Sequence, residues 1–122
     1  MNKTILVVDD SASIRQVVSM TLKSAGYTTI EANDGKDALN KLIGKKVHLI
    51  ISDVNMPNMD GLTLLKELKV RPDTKFTPVI MLTTESEAGK KEQGRAAGAK
   101  AWVVKPFVPQ QMLAAVQKLI MP

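Results

Sequence analysis

The stretch HLIISDVNMPNMDG, residues 48–61, begins as a buried strand and ends around carboxylates. Residues 49–51 form a continuous apolar run, which is typical of a strand covered on both faces of a parallel sheet. Asp53 follows two residues later, and Pro57 cannot continue a central strand. Asp60 is placed to cap a following helix. The stretch therefore predicts a buried strand that delivers an acid at its carboxyl end and then turns into a helix.

Comparable apolar runs occur along the rest of the chain and alternate with helical patterns. The strand-like runs are residues 5–8, 47–51, 79–82 and 101–104, with a weaker run at 27–32. The helical stripes are Ile14, Val17, Val18 and Leu22; Ala38, Leu39, Leu42 and Ile43; Leu62, Leu65 and Leu68; and Met112, Leu113, Val116, Leu119 and Ile120. Because strand–helix–strand units wind right-handedly, this order predicts an α/β fold with helices on both faces of a parallel sheet.

The segment 85–99 differs from the other helical segments. It carries Gly89, Gly94 and Gly98, and its apolar side chains are all alanines. Glycine weakens a helix by about 1 kcal/mol relative to alanine, and alanine buries little apolar area. We expect a weakly anchored helix here; an ordinary short surface helix is the alternative.

Size and composition favour one cytoplasmic domain over residues 1–122, with no output domain. The chain has 122 residues, of which 44% are hydrophobic and 24% charged, and no cysteine. No stretch approaches the roughly 18 apolar residues of a membrane span. The net charge of +5 suits either a solvated surface or a docking surface for an acidic partner. DNA binding is disfavoured, because no recognition-helix pattern accompanies the charge. His48 precedes its strand at the end opposite the acids and is expected at the surface.

Polar side chains lie where the predicted strands end. Asp9 and Asp10 follow the first strand, Asp53 the third, Thr83 the fourth and Lys105 the fifth. The carboxyl ends of parallel strands meet at one edge, where such sheets bind ligands. Clustered carboxylates repel unless a cation joins them, and oxygen donors favour Mg²⁺. Lysine and hydroxyl groups suit a phosphoryl group, and a carboxylate can act as its acceptor. A helix cap is the alternative role for any one of these acids taken alone.

Four motifs together resemble the receiver domains of two-component response regulators. They are ILVVDDS, LIISDVNMPNMDG, VIMLTTE and VVKPF, in the family's order and spacing and spanning the whole chain. The resemblance is to stand-alone, CheY-like members of chemotaxis systems. It implies a flavodoxin-like, three-layer (βα)5 sandwich whose five parallel strands lie in the order 2-1-3-4-5.

The resemblance assigns the acids to phosphoryl and metal binding. Asp53 is the implied phosphoacceptor. Asp10, Asp53 and the backbone carbonyl of Asn55 are the implied Mg²⁺ ligands, with Asp9 acting through water. Asn55 and Glu85 correspond to positions that tune hydrolysis of the phosphorylated form.

The same resemblance assigns the switch. Lys105 is expected to pair with the phosphoryl group, and its bond to Pro106 is expected to be cis. Thr83 is expected to turn its hydroxyl onto the phosphoryl group. Trp102 stands where the family usually has a smaller aromatic; it either swings inward on activation or stays packed. Thr84 replaces a smaller residue and either narrows access to the site or faces solvent.

The function that the resemblance implies is signalling rather than classical enzymatic turnover. A histidine kinase donates the phosphoryl group, and the change reaches a surface formed by the segment 85–99, the fifth strand and the last helix. The implied reader is a target protein such as a flagellar motor switch component, with a phosphatase as a further partner type and the chain as a monomer. Two alternatives remain: a phosphorelay shuttle that passes the group to a histidine phosphotransfer protein, and a Mg²⁺-dependent phosphatase of small molecules. The phosphatase is disfavoured because Asn55 stands where a second acid is needed.

Overall fold

The computed structural model describes residues 3–54, 56–83 and 95–120. The strands are β1 (Thr4–Val8), β2 (Thr28–Ala32), β3 (Leu49–Asp53), β4 (Val79–Thr83) and β5 (Ala101–Val104). The helices in these ranges are α1 (Ala12–Ser24), α2 (Gly35–Leu42), α3 (Gly61–Val70) and a last helix (Pro109–Leu119). Of the predicted helix at 85–99, residues 85–94 lie outside the described ranges, and residues 95 and 96 are helical.

The five strands form one parallel sheet in the order β2-β1-β3-β4-β5, which confirms the predicted flavodoxin-like topology. The strands end nearly in register: Val8 pairs with Ser52, Asp53 with Leu82 and Thr83 with Val104. The last residues of β1, β3, β4 and β5 therefore meet at a single edge of the sheet.

Two apolar cores lie on opposite faces of the sheet. Alternate strand residues such as Leu6 and Ile50 pack on the face of α2 and α3, whereas Ile5 and Ile51 pack on the face of α1 and the last helix. All four side chains are buried. Because successive side chains of a strand point to opposite faces, burial of both sets explains the near-continuous apolar runs.

Three details of the predicted pattern were wrong. Val17 and Ile43 were placed on buried stripes, but their exposed fractions are 51% and 73%. Val17 and Val18 are about 100° apart on a helix, so only Val18 reaches the sheet, and Ile43 lies beyond the end of α2 in extended backbone. β5 is half-exposed rather than covered on both faces, because it is an edge strand with a single neighbour.

Each of the first three helices begins at a side-chain cap. Ser11 Oγ accepts a hydrogen bond from Ile14 N at 3.4 Å, at the start of α1. The α2 and α3 caps are carboxylates: Asp34 accepts from Asp37 N and Asp60 from Thr63 N, both at 2.8 Å. Asp60 therefore serves α3 and stays out of the acidic cluster described below.

Candidate functional site

The carboxyl edge of the sheet brings together all five polar residues that the strand ends predicted. Asp53 and Thr83 are the last residues of β3 and β4, rather than the first residues beyond them. Asp9 and Asp10 follow β1, and Lys105 follows β5. The peptide bond from Lys105 to Pro106 is cis.

Three carboxylates form a compact cluster at this edge. Asp9, Asp10 and Asp53 each offer one oxygen, and these oxygens lie within 4.8 Å of one another. The exposed fractions of Asp9 and Asp53 are only 1% and 6%, whereas Asp10 is exposed. Two of the acids are therefore held in the protein interior while the third faces solvent.

Lys105 bridges the two buried acids. Its Nζ lies 3.1 Å from Asp9 Oδ2 and 3.1 Å from Asp53 Oδ1. Each buried carboxylate also accepts a hydrogen bond from a backbone amide. Val54 N donates to Asp53 Oδ1 at 2.8 Å, and Ser11 N donates to Asp9 Oδ1 at 2.9 Å. Among the side chains of the described residues that contact one another here, three carboxylates face one ammonium, so when all are ionised the negative charges outnumber the positive charge by two.

The pKa values of both Asp53 and Lys105 are raised, for different reasons. Burial raises the pKa of Asp53 to about 6, and the neighbouring Asp9 charge acts in the same direction, against the opposing effects of Lys105 and the Val54 amide. Burial by itself lowers the pKa of Lys105, but the hydrogen bonds to Asp53 and Asp9 more than offset it, so its pKa is raised.

The donor set fits a hard divalent cation. All three side chains supply oxygen, which Mg²⁺ prefers, whereas zinc sites are usually built with nitrogen or sulfur ligands. A divalent ion would also balance this excess of two negative charges. Asp9 is the least suited to bind directly, because both of its oxygens already accept hydrogen bonds from protein groups. Asn55, whose carbonyl the resemblance implies as a ligand, lies outside the described residues.

The described groups expected to form the switch lie on two neighbouring strands, β4 and the edge strand β5. Thr83 is buried, and its carbonyl accepts a hydrogen bond from the backbone N–H of Lys105, which ties the end of β4 to the residue after β5. Trp102 is half-buried on β5, opposite Met81, and packs against the core on the α2 and α3 face. Thr84 and Glu85 lie outside the described residues.

Arg15 joins the site without having been predicted. Its Nη1 donates to the backbone carbonyl of Asp9 at 2.7 Å, and its Nε lies 3.4 Å from Glu31 Oε1 on β2. The sequence offers one signal for this role: a basic residue in the first turn of α1, five residues after Asp10. His48 has a structural role at the opposite edge, where its Nδ1 accepts from Thr4 N at 3.1 Å.

Comparisons with known proteins agree on one family. The family model described as "Response regulator receiver domain" matches residues 5–117. The structure of chemotaxis response regulator CheY4 of Vibrio cholerae is 47% identical, with a TM-score of 0.92, over 98% of this chain and 100% of that one. The receiver domain of sensor histidine kinase PA1611 from Pseudomonas aeruginosa, described with a magnesium ion in its active site cleft, is 25% identical, with a TM-score of 0.89, over 98% of each chain.

Curated relatives extend beyond the matched region. The alkaline phosphatase synthesis transcriptional regulatory protein PhoP of Bacillus subtilis is 39% identical over 98% of this chain and 49% of its own length. The chain spans about half the length of the curated relatives it matches. In the described ranges, the helices are too short or too polar to cross a membrane.

Proposed function

Because the chain belongs to the response regulator receiver family, we propose that it is a phosphorylation switch in which Asp53 accepts a phosphoryl group from a histidine kinase. The observation that carries the proposal is the position of Asp53: a buried carboxylate at the sheet edge, 3.1 Å from the Lys105 ammonium and within 4.8 Å of two further acids. The chain is then a phosphoacceptor that signals, rather than a classical enzyme.

Asp10, Asp53 and the Asn55 carbonyl are the proposed direct Mg²⁺ ligands, and Asp9 the proposed ligand through water. The exposure of Asp10 and the prior engagement of both Asp9 oxygens support this division of roles. The magnesium ion described in the PA1611 receiver domain supports the choice of metal. When bound, Mg²⁺ neutralises charge that develops on the phosphoryl oxygens.

The proposed transfer exchanges one bond to phosphorus for another. A carboxylate oxygen of Asp53 forms the new P–O bond, the P–N bond of the donor phosphohistidine breaks, and its electron pair returns to the imidazole nitrogen. Lys105 already contacts Asp53 at 3.1 Å, so it can pair with the arriving phosphoryl oxygens with little movement. Water later hydrolyses the acyl phosphate, and Asn55 and Glu85 are the residues proposed to set that rate.

The proposed switch begins at Thr83. Its hydroxyl turns towards the phosphoryl group, and its carbonyl is already bonded to the Lys105 backbone, so β4 and β5 respond together. The surface that changes comprises the segment 85–99, β5 with Trp102, and the last helix. Such a change is a shift between two populated states of that surface.

For the output we propose a monomeric, single-domain regulator of the chemotaxis type, whose phosphorylated surface binds a target such as a flagellar motor switch component. The support is the CheY4 structure, which this chain matches over its full length. PhoP, a transcriptional regulatory protein, favours a second candidate, the receiver part of a transcription regulator. Transfer of phosphate from Asp53 to a histidine phosphotransfer protein would identify a phosphorelay shuttle instead.

Acetyl phosphate tests the central proposal on the wild-type protein. We expect incorporation of one acid-stable, base-labile phosphoryl group that requires Mg²⁺ and maps to the peptide containing Asp53. EDTA provides the control without metal. Phosphate on a serine or threonine, or equal incorporation in EDTA, would contradict the proposal. Continuous release of phosphate from small esters would point to the phosphatase alternative.

Mg²⁺ affinity should depend on pH through Asp53. Protons and Mg²⁺ compete for this carboxylate, whose pKa in the metal-free protein is about 6. Above that value the affinity should be nearly constant; below it, affinity should fall about tenfold for each pH unit. Titration with Mg²⁺, followed by amide NMR shifts between about pH 5 and pH 8, measures the profile. A flat profile would contradict the binding of Mg²⁺ by an Asp53 carboxylate of raised pKa.

A further inference from the structure

We propose that Arg15 is a positioning residue of the metal site: it fixes the peptide bond between Asp9 and Asp10 and so holds the Asp10 carboxylate beside those of Asp9 and Asp53. The proposal rests on the receiver function argued above. It assigns Arg15 no contact with Mg²⁺ or with the phosphoryl group.

The contact that carries the inference is made to the backbone. Arg15 Nη1 donates to the carbonyl oxygen of Asp9 at 2.7 Å, and that carbonyl belongs to the peptide bond leading into Asp10. A peptide unit is planar, so fixing the direction of its C=O fixes the direction in which Asp10 leaves the strand. A hydrogen bond from a charged donor is shorter and stronger than one between two neutral groups.

Neighbouring contacts hold the other groups of Asp9. Its N–H donates to Ala32 O on β2 at 3.1 Å. Its carboxylate accepts from Ser11 N at 2.9 Å and from Lys105 Nζ at 3.1 Å. The remaining polar group of Asp9 is its carbonyl, which belongs to the peptide bond with Asp10. The hydrogen bond from Arg15 is the contact by which α1 orients that carbonyl.

Asp10 needs such an external restraint. It lies beyond the end of β1 and is exposed. Its oxygen nevertheless lies within 4.8 Å of those of two other acids. Like charges at that distance repel, so without a restraint on the backbone the metal-free protein would favour Asp10 turned towards solvent.

Glu31 steadies the guanidinium but is the weaker contact. The distance from Arg15 Nε to Glu31 Oε1 is 3.4 Å, and Arg15 Nε forms no hydrogen bond to any described residue, so this contact is an ion pair only. The exposed fractions of the two side chains are 19% and 38%. Because Glu31 is the more exposed partner and no hydrogen bond to a described residue accompanies the ion pair, solvent screens it and its contribution is small. The bond to the Asp9 carbonyl is thus expected to carry the effect.

The test compares Mg²⁺ dissociation constants, measured by NMR titration, in wild type, Arg15→Met and Arg71→Met. Arg71 is the matched control, because it also pairs with a glutamate, Glu67, at 3.8 Å but lies at the end of α3. Loss of an outer-shell partner weakens metal binding by about tenfold or more. We expect that loss in Arg15→Met, unchanged affinity in Arg71→Met, and a change below about threefold in Glu31→Gln.

Two further readouts separate positioning from simple loss of a positive charge. Salt screens charges over about 10 Å at 0.1 M and about 3 Å at 1 M, so a purely electrostatic effect would shrink at high salt, whereas the expected ratio of dissociation constants persists. At saturating Mg²⁺, phosphorylation of Arg15→Met by acetyl phosphate should reach the wild-type rate.

Wild-type Mg²⁺ affinity in Arg15→Met, or a loss that disappears at high salt, would overturn the inference and leave the receiver function standing. Failure of the wild-type protein to bind Mg²⁺ would instead overturn the proposed function. The two failures are distinguished within the same set of titrations.

Discussion

Asp53→Asn should be more stable than the wild-type protein at alkaline pH while accepting no phosphoryl group. In the folded protein the pKa of Asp53 is about 6, against an ordinary value of 3.8, because the carboxylate is buried and lies beside Asp9. The raised value means that folding disfavours the ionised form. Above about pH 6, the charged side chain therefore costs about 3 kcal/mol of folding free energy.

Because the folded-state pKa of Asp53 is raised, the ionised carboxylate destabilises the fold at high pH and not at low pH. Below the unfolded pKa of 3.8 the group is protonated in both states and costs nothing; the cost grows between 3.8 and about 6 and is complete above that. Asparagine has no charge to desolvate, and Lys105 keeps its contact with Asp9 at 3.1 Å. The gain in free energy of unfolding should be about 2 to 3 kcal/mol at about pH 8, and less than about 1 kcal/mol at about pH 4.

Urea unfolding at the two pH values, together with phosphorylation by acetyl phosphate, measures both halves of this prediction. Asp60→Asn is the matched control: Asp60 is a carboxylate outside the cluster, and asparagine caps helices as well as aspartate does. Its stability should stay within about 0.5 kcal/mol of wild type, and it should still be phosphorylated. A destabilised Asp53→Asn at alkaline pH would show that the acidic cluster is not strained by its own charge.

The same cluster shows why the metal is expected to matter for stability as well as chemistry. The protein holds two buried acids and one exposed acid around a single lysine, a charge balance that remains unfavourable until a cation arrives. Ligands that bind only the folded state stabilise it. The burial and the neighbouring Asp9 charge that raise the pKa of Asp53 therefore make the fold less stable while that carboxylate is ionised.

Much of this could be predicted from the sequence, for physical reasons that differ between fold and site. Apolar runs such as residues 49–51 predicted buried parallel strands, because a strand covered on both faces has no polar face to alternate with. The meeting of the acids at one site was predicted from their positions at the ends of strands, since the carboxyl ends of parallel strands lie at one edge of the sheet. The strand order 2-1-3-4-5 came from the family resemblance, because the run order alone does not decide which strands are neighbours.

Other features depended on contacts that no local pattern reports. Arg15 reaches a backbone carbonyl on another element, and every residue has such a carbonyl, so the sequence contains no distinctive partner to pair it with. Val17 was misplaced because apolar residues also occur on the exposed side of a helix. The contact of Lys105 with both Asp9 and Asp53 was likewise not predicted, because the sequence places the three residues at one edge without saying which of them touch.

Gly61→Ala should destabilise the protein by about 3 kcal/mol or more, because among the glycines that the structure describes an added methyl group meets backbone most closely here. A Cβ at Gly61 would lie 2.0 Å from the backbone oxygen of Asp53 and 2.8 Å from the terminal methyl of Met81. The Asp53 oxygen belongs to the end of a fully buried strand and cannot move aside. Gly61 N also donates to Val54 O at 2.8 Å. The start of α3 could move away from β3 only by breaking this hydrogen bond.

Gly35→Ala is the matched control, because Gly35 also opens a helix directly after a capping aspartate. A Cβ there would meet Met59 side-chain atoms at 2.7 to 2.8 Å. Relief needs a small shift of the Met59 backbone, because Met59 Cβ does not move when the side chain changes rotamer. Met59 lies in a half-buried bend rather than in a buried strand, so the expected loss is smaller, about 1 to 2 kcal/mol. Urea unfolding of both variants decides the point, and equal losses would contradict it. Since the crowded atom is the carbonyl oxygen of Asp53, the proposed phosphoacceptor, Gly61→Ala should also slow phosphorylation by acetyl phosphate in the fraction that remains folded. Gly35→Ala should not.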